Sequence, residues 1–454
     1  MRRKRKTTIK RRYRSNPNTP LHKGFDRGFD VGHDRGYALG FERGVSGWNE
    51  LFDGTSIVIP TYNQLGFLKE CIESIHRHTP ELHEIIIIDN GSTDGTDRYL
   101  KSLNGNIRYK IFKENLGFAG GVNQGLMMAR GNTLLFLNND TIVTKNWLTN
   151  LLACLQGDAK FGLVGPVTNY ISGDQLIETS YQSIDEMHRF AESFNRSDRE
   201  RWMKTVRLTG FCVVMRRDFF QRLGYLDEGF EIGNCEDDDY GLRAQLLGSD
   251  LIIAKDTFLH HAGSKTIKTL TPSQFDQIYG RNKQFYADKW GDTPSLLAEV
   301  LSLWDGTPLK MNDFYPTHVI VKGAGPDLFW VENGVLHPLE DAAEFASTRL
   351  AQTDLRNWSV GCTLSHEQAT RRIDSLSSDS PGARSLADGV LVRTSEGNVY
   401  QLKLGKLHRL VTDWALTTWH LNERHIVSIS EAEKNKYPEG IPVLAPPVIR
   451  ANNL

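Results

Sequence analysis

From Ser56 onward, short apolar runs alternate with amphipathic stretches along the chain. Ser56–Pro60 reads as a strand, and Leu65–His78 as a helix that puts Leu68, Ile72 and Ile75 on one face. Ile85–Asp89 is an apolar run closed by an acid, the pattern of a strand covered on both faces. Asp94–Leu103 reads as helix, Arg108–Phe112 as strand, Val122–Arg130 as helix, Thr133–Leu137 as strand and Trp147–Leu155 as helix. Leu251–Ala254 is a further apolar strand. This alternation predicts an α/β fold, with a mostly parallel sheet, right-handed crossovers and helices on both faces.

The pattern changes near 300–315, where a domain boundary is expected. Beyond it Val319–Leu339 aligns without gaps on Val390–Leu410, and each copy alternates apolar residues around a Gly-containing turn. A hairpin followed by a short helix is predicted for each, giving a small β-rich duplicated module over 312–450. With no acid cluster of its own, it is expected to bind or position, so that a chain ending near Gly306 would still hydrolyse donor.

Composition adds an asymmetry. At 454 residues more than one core is expected. The first fourteen residues carry nine Lys or Arg and no acid, which leaves 45 basic against 55 acidic residues in the rest. Residues 1–23 are predicted to be a disordered basic arm. The segment 24–47 has Gly at every fourth position from 24 to 44 and reads as a linker or a weak assembly segment, through which the chain could oligomerise. No apolar run approaches the ~20 residues of a membrane span. The five scattered cysteines argue against a disulfide framework or zinc site. A cytoplasmic protein is expected, its arm able to touch the anionic inner face of a membrane.

Ligands of an open parallel sheet bind beyond the carboxyl ends of its strands. Here the strands end in Pro60-Thr61-Tyr62-Asn63, Asp89-Asn-Gly-Ser-Thr-Asp94 and Asn138-Asn139-Asp140-Thr141. Each alone reads as an ordinary turn; three on one rim suggest a site. Asp89 suits a base or ribose, and Asp140 a hard divalent cation holding a diphosphate. Between them the glycines of Asn115–Gly125 offer either close approach to a nucleotide or a tight turn into a helix. Glu236-Asp237-Asp238-Asp239 opens a helix in which Asp239 can pair with Arg243. The remaining acids repel one another unless one has a task such as general base catalysis.

In order, Thr55–Tyr62, Ile85–Thr96, Asn115–Gly125, Leu134–Thr141, Thr209–Arg217 and Glu236–Arg243 resemble the motif blocks of family-2 glycosyltransferases, nearest the rhamnosyltransferase-like bacterial branch. The resemblance implies a GT-A fold over 53–300 and an inverting transfer from a UDP- or dTDP-sugar to a glycan, lipid-linked or protein acceptor in cell-envelope polysaccharide synthesis. Carried over, Pro60, Thr61, Tyr62, Asp89, Asn115, Gly117, Gly120, Gly121 and Asn139 would contact the nucleotide. Asp140 and His260, with His261 nearly as good a match, would hold Mg²⁺ or Mn²⁺. Asp237 would be the base, with Glu236 beside it. The metal motif departs from the family pattern in having one carboxylate.

Rival readings carry less of the sequence. A sugar nucleotidylyltransferase needs a basic Gly-rich loop after the first strand, and Pro60–Leu65 supplies none. A nucleic-acid-binding protein acting through the basic arm leaves the rim residues unexplained. A catalytically dead scaffold has no reason to keep Asp237.

Overall fold

The computed structural model describes residues 51–103, 107–263, 271–340, 345–377 and 386–454. The expected arm and glycine-repeat segment lie outside the described residues. Asp53–Leu454 form one compact unit.

The main sheet contains β1 (Phe52–Thr61), β2 (His83–Asp89), β3 (Ile107–Ile111), β4 (Gly131–Leu137), β5 (Thr141–Ile142), β6 (Phe161–Thr168), β7 (Trp202–Thr205), β8 (Cys212–Arg216) and β9 (Asp250–His261). They lie in the order β3-β2-β1-β4-β8-β6-β9-β5, with β7 also on β9. The helices that matter here are α1 (Leu65–His78), α2 (Thr96–Ser102), α3 (Gly117–Met128), α4 (Trp147–Gln156), α5 (Ile184–Phe194), α6 (Arg217–Leu223), α7 (Glu236–Leu246), α8 (Pro272–Trp290) and α9 (Thr293–Leu303).

Side chains alternate across each strand, so the apolar runs feed two layers. Ile57 and Ile59 of β1, with Ile85 and Ile87 of β2, pack with Leu68, Ile72 and Ile75 of α1 and Leu151 of α4. Val58, Ile86 and Ile88 face the opposite layer, with Val122 and Leu126 of α3 and Tyr240 of α7. Burying each such side chain stabilises the fold by about 1.5–3 kcal/mol.

The sheet is more mixed than the alternation suggests. β1–β2, β2–β3 and β6–β9 are parallel, whereas β4–β8, β6–β8, β5–β9 and β7–β9 are antiparallel. Strand β8 is joined to its sheet neighbours β4 and β6 by long connections, which leave its direction free.

The two aligned segments form matching meanders. One is β10 (Val319–Lys322), β11 (Leu328–Glu332) and β12 (Val335–Pro338), flanked in parallel by β13 (Thr348–Arg349) and β14 (Ser359–Val360). The other is β15 (Leu391–Arg393), β16 (Val399–Lys403) and β17 (Lys406–Leu410), flanked by β18 (Ile426–Ser428) and β19 (Glu439–Val443). Equivalent histidines do the same work in both. His337 Nδ1 donates to the Cys362 carbonyl at 2.9 Å, and His408 Nδ1 to that of Ile441 at 2.7 Å.

These sheets share the main core: Val58 and Phe136 belong to one continuous cluster with Trp419, Leu444 and Ile449. The end of the chain returns to the loop between α6 and α7. Glu228 accepts the N–H groups of Arg450 and Ala451 at 2.6 and 2.9 Å, and Asp227 that of Val448 at 3.1 Å. Among the described residues no helix is long and apolar enough to cross a membrane.

Candidate active site

A cavity of about 620 Å³ opens over the carboxyl ends of β1 and β4, between α7 and the end of β9. Pro60, Thr61, Tyr62, Asn115 and Gly117 line one side, and Asn139 and Asp140 the floor. Glu236 and Asp237 of α7 and His261 of β9 complete the lining. Thr61 Oγ1 accepts from Asn139 Nδ2 at 2.9 Å, which ties the first strand end to the fourth.

Three expected nucleotide contacts sit elsewhere. Asp89 is fully buried behind the rim, where one carboxylate oxygen accepts the Ser92 N–H at 3.0 Å. Its other oxygen has no hydrogen-bond partner among the described residues. Asn90 reaches the cavity instead and donates to the Gly117 carbonyl at 3.0 Å. Gly120 and Gly121 lie inside α3, which begins five residues before the predicted Val122. A Cβ on Gly121 would stand 2.8 Å from Asn90 Nδ2 and 3.0 Å from Pro60 Cβ, so this glycine serves helix-to-strand packing. Gly117 alone of the three lines the cavity. Its φ of 72° is stabilised by Asn115, whose side chain accepts the Gly117 N–H at 2.9 Å.

The histidine at the floor is His261. In β9 neighbouring side chains point to opposite faces, and pairing with β5 sets Thr141 beside His261. His261 Nε2 lies 3.1 Å from Asp140 Oδ1. His260, the histidine expected at a metal, turns away and meets the Tyr181 hydroxyl at 2.7 Å, so of the two it is His261 that lines the cavity. His261 Nδ1 sits 2.8 Å from the Tyr170 carbonyl, which can only accept, so Nδ1 carries a proton. Nε2 is then either protonated toward Asp140 or a lone pair beside a carboxylate. Two lone pairs at that distance repel unless a proton or cation lies between them. The pair fits a hard cation completed by phosphate oxygens or water. Among the described residues no third acidic, His or Cys ligand joins it.

The four acids divide by environment. Asp239 is fully buried and accepts from Arg243 at 2.8 Å, Lys289 at 2.6 Å and the Trp290 indole at 3.0 Å. Asp238 pairs with Arg207 at 2.6 Å. Glu236 is buried, and burial followed by the Asp237 charge raises its carboxyl well above the usual range. Asp237 accepts the Gly210 N–H at 3.1 Å and the Asp238 N–H at 3.0 Å. Burial and then the Asp238 charge push its pKa up to about 6, against the pull of Arg207.

The loop before α7 is strained: Ile232, Asn234 and Cys235 all have positive φ. Asn282, buried on α8, pins it. Its Nδ2 donates to the carbonyls of Glu231, Gly233 and Asn234, each at 3.1 Å, and its Oδ1 accepts the Glu231 N–H at 2.9 Å.

The model of the family described as Glycosyl transferase family 2 matches residues 56–224. Over those residues the chain is similar to the family 2 glycosyl transferases.

Curated relatives point the same way. An uncharacterized glycosyltransferase of Rickettsia bellii is 31% identical over 31% of this chain and 18% of its own length. Validoxylamine A glucosyltransferase of Streptomyces hygroscopicus subsp. limoneus is 26% identical over 45% of this chain and 50% of its own. Polypeptide N-acetylgalactosaminyltransferase 11 of Xenopus tropicalis is 27% identical over 52% of this chain and 42% of its own. The chain thus spans half or less of the length of these relatives. Among solved structures, GalNAc-T7 with UDP, GalNAc and Mn²⁺ aligns with a TM-score of 0.40 at 20% identity, covering 57% of this chain and 52% of its own.

The family 2 match ends at residue 224, before Asp237 and His261. It takes in the rim, Asp140 and Arg207. Sequence reading passed over Arg207 and Asn282. Arg207 stands two residues before the Thr209 block and carried a findable signal. Asn282 lies in a helix not assigned from the sequence, 51 residues from Glu231.

Proposed function

We propose that the chain is an inverting glycosyltransferase that moves a sugar from a UDP- or dTDP-linked donor to an acceptor hydroxyl. The observation that carries this reading is the Asp237 carboxylate, which lines the same cavity as the Asp140–His261 pair and is tuned to about 6 by burial. A carboxylate with that pKa is ionised at neutral pH and is a stronger base than a solvated aspartate.

The acceptor oxygen bonds to the anomeric carbon as the bond from that carbon to the diphosphate oxygen breaks. Asp237 takes the acceptor proton, and the nucleoside diphosphate leaves. One displacement inverts the anomeric centre. Asp140 and His261 would hold Mg²⁺ or Mn²⁺, which supplies positive charge against the departing diphosphate. Pro60, Thr61, Tyr62, Asn90, Asn115 and Gly117 hold the nucleoside, while Asn282 fixes the loop that delivers Glu236 and Asp237.

Residues 53–300 form the transferase domain in this reading, and 312–450 a duplicated module that positions the acceptor. Relatives named for glucosyl and N-acetylgalactosaminyl transfer support the reaction class. A glycan, lipid-linked or protein acceptor in cell-envelope synthesis, met at the cytoplasmic side of a bacterial membrane, fits the acidic body and basic arm. The test is a panel of nucleotide sugars read by thermal stabilisation and by hydrolysis. Stabilisation and slow hydrolysis with one sugar support the reading, and indifference to every member overturns it.

A further inference from the structure

We propose that Phe275, braced by Tyr279, forms a stacking platform for a sugar ring of the acceptor, which makes the acceptor a glycoside. The inference rests on the glycosyltransferase reading and deepens it.

Phe275 lines the cavity from the first turn of α8. Tyr279, one turn on, stacks against it with ring centroids 5.8 Å apart and planes 10° from parallel. Lys283 continues the row, its ammonium 4.5 Å from the Tyr279 centroid. Both rings are only half-buried. Phe275, the member of the row at the cavity, is a half-buried ring with a flat apolar face, and such a face matches the C–H face of a pyranose.

Sheet order separates the two ends of the cavity. The nucleoside groups stand at the ends of β1 and β2. Arg207 and Gly210 precede β8, Tyr170–Ser172 follow β6, and His261 ends β9, all on the other half of the sheet. Phe275 shares the cavity with that half, and α8, which carries it, holds through Asn282 the loop that leads into Asp237. The acceptor hydroxyl must reach Asp237, and Asp237 is bonded to Gly210 on this same half. Polar groups suited to sugar hydroxyls stand alongside: Arg207 donates to Asp238 at 2.6 Å and to Ser172 at 3.1 Å, and its guanidinium has further N–H groups to offer.

The experiment measures transfer by the full chain, with the nucleotide sugar that the panel selects, to methyl hexopyranosides and to a Ser/Thr-containing peptide. Phe275→Ala and Phe275→Leu should each raise the KM for the methyl glycoside about three- to tenfold, while Phe275→Trp stays near wild type. The donor KM should move in none of them, and thermal melts confirm folding. Leu supplies bulk without a flat face, so a Leu variant with normal acceptor KM overturns the platform. A donor KM that rises in step assigns the ring to the donor sugar instead. Turnover with the peptide and with no glycoside overturns the acceptor class. Failure to bind or hydrolyse any nucleotide sugar, by contrast, defeats the underlying glycosyltransferase reading.

Discussion

Lys289 of α8 donates to Asp239 of α7 at 2.6 Å, with both side chains fully buried. The same ammonium holds Asp227 at 2.6 Å, and Asp227 in turn accepts the Val448 N–H. Two buried carboxylates and two buried cations, Lys289 and Arg243, thus join α7 to α8 and to the end of the chain. Breaking a buried pair by removing one partner costs about 3–5 kcal/mol. Lys289→Met should lower the melting temperature accordingly, measured by calorimetry and urea unfolding. An unchanged melt would show that the network contributes little.

Asp237 separates from its neighbours by chemistry. Removing a general base costs a factor of ~10²–10⁴ in rate. Asp237→Asn should lose that much transfer while donor affinity holds and the fold stays intact. Glu236→Gln should cost less, because burial already favours the neutral acid that Gln imitates. Asp239→Asn should act mainly on stability. Near-normal turnover in Asp237→Asn beside a dead Glu236→Gln would move the base by one residue.

The raised pKa of Asp237 has a sign that can be checked. The base works ionised, so transfer should fall as pH drops through about 6, and the limb should vanish in Asp237→Asn. Stability runs the other way. The folded pKa of about 6 exceeds the unfolded value near 3.9, so the folded state binds more protons between them. The stability contributed by this group is present below about 4 and lost as pH rises through about 6. Asp237→Asn should therefore melt no lower than wild type at pH 8, and a lower melt would contradict the buried-charge account.

Chelation tests the floor of the cavity. EDTA should abolish transfer and Mg²⁺ or Mn²⁺ restore it, with Asp140→Ala not rescued at ordinary metal levels. His261→Ala should raise the cation concentration required, whereas His260→Ala should titrate like wild type, because His260 faces Tyr181. Full activity in chelator would overturn the metal role and leave the Asp140–His261 contact a structural one.

The end of the chain tests the shared core. Deleting residues 446–454 leaves the buried Glu228 without its Arg450 and Ala451 donors, and that variant should melt lower. A chain ending near Gly306, expected from sequence to keep donor hydrolysis, exposes the Phe136–Trp419–Leu444 core and should not fold. A folded, donor-binding fragment of that length would show the two parts to be separable.

What the sequence by itself determined is what local periodicity and turn chemistry encode. Leu65–His78 is the helix predicted to the residue, and strands β2, β3 and β4 lie within two residues of their apolar runs. Matching runs 71 residues apart marked a hairpin in each copy, though not the third strand that makes each a meander, and the strand-end position of Pro60–Tyr62 and Asn139–Asp140 put them on one rim. Tertiary structure decided the rest. Adjacent His260 and His261 carry the same local signal, and only pairing with β5 chooses which faces Asp140. Gly117 and Gly121 look alike in a Gly-rich loop, yet one turns at the cavity and the other lets α3 approach β1. The direction of β8, the hold of Asn282 on the loop at 231–234 and the return of residues 448–451 to Asp227 and Glu228 are contacts between distant segments. Periodicity over ten or fifteen residues records which face a residue shows, not what meets that face, and the site is made of such meetings.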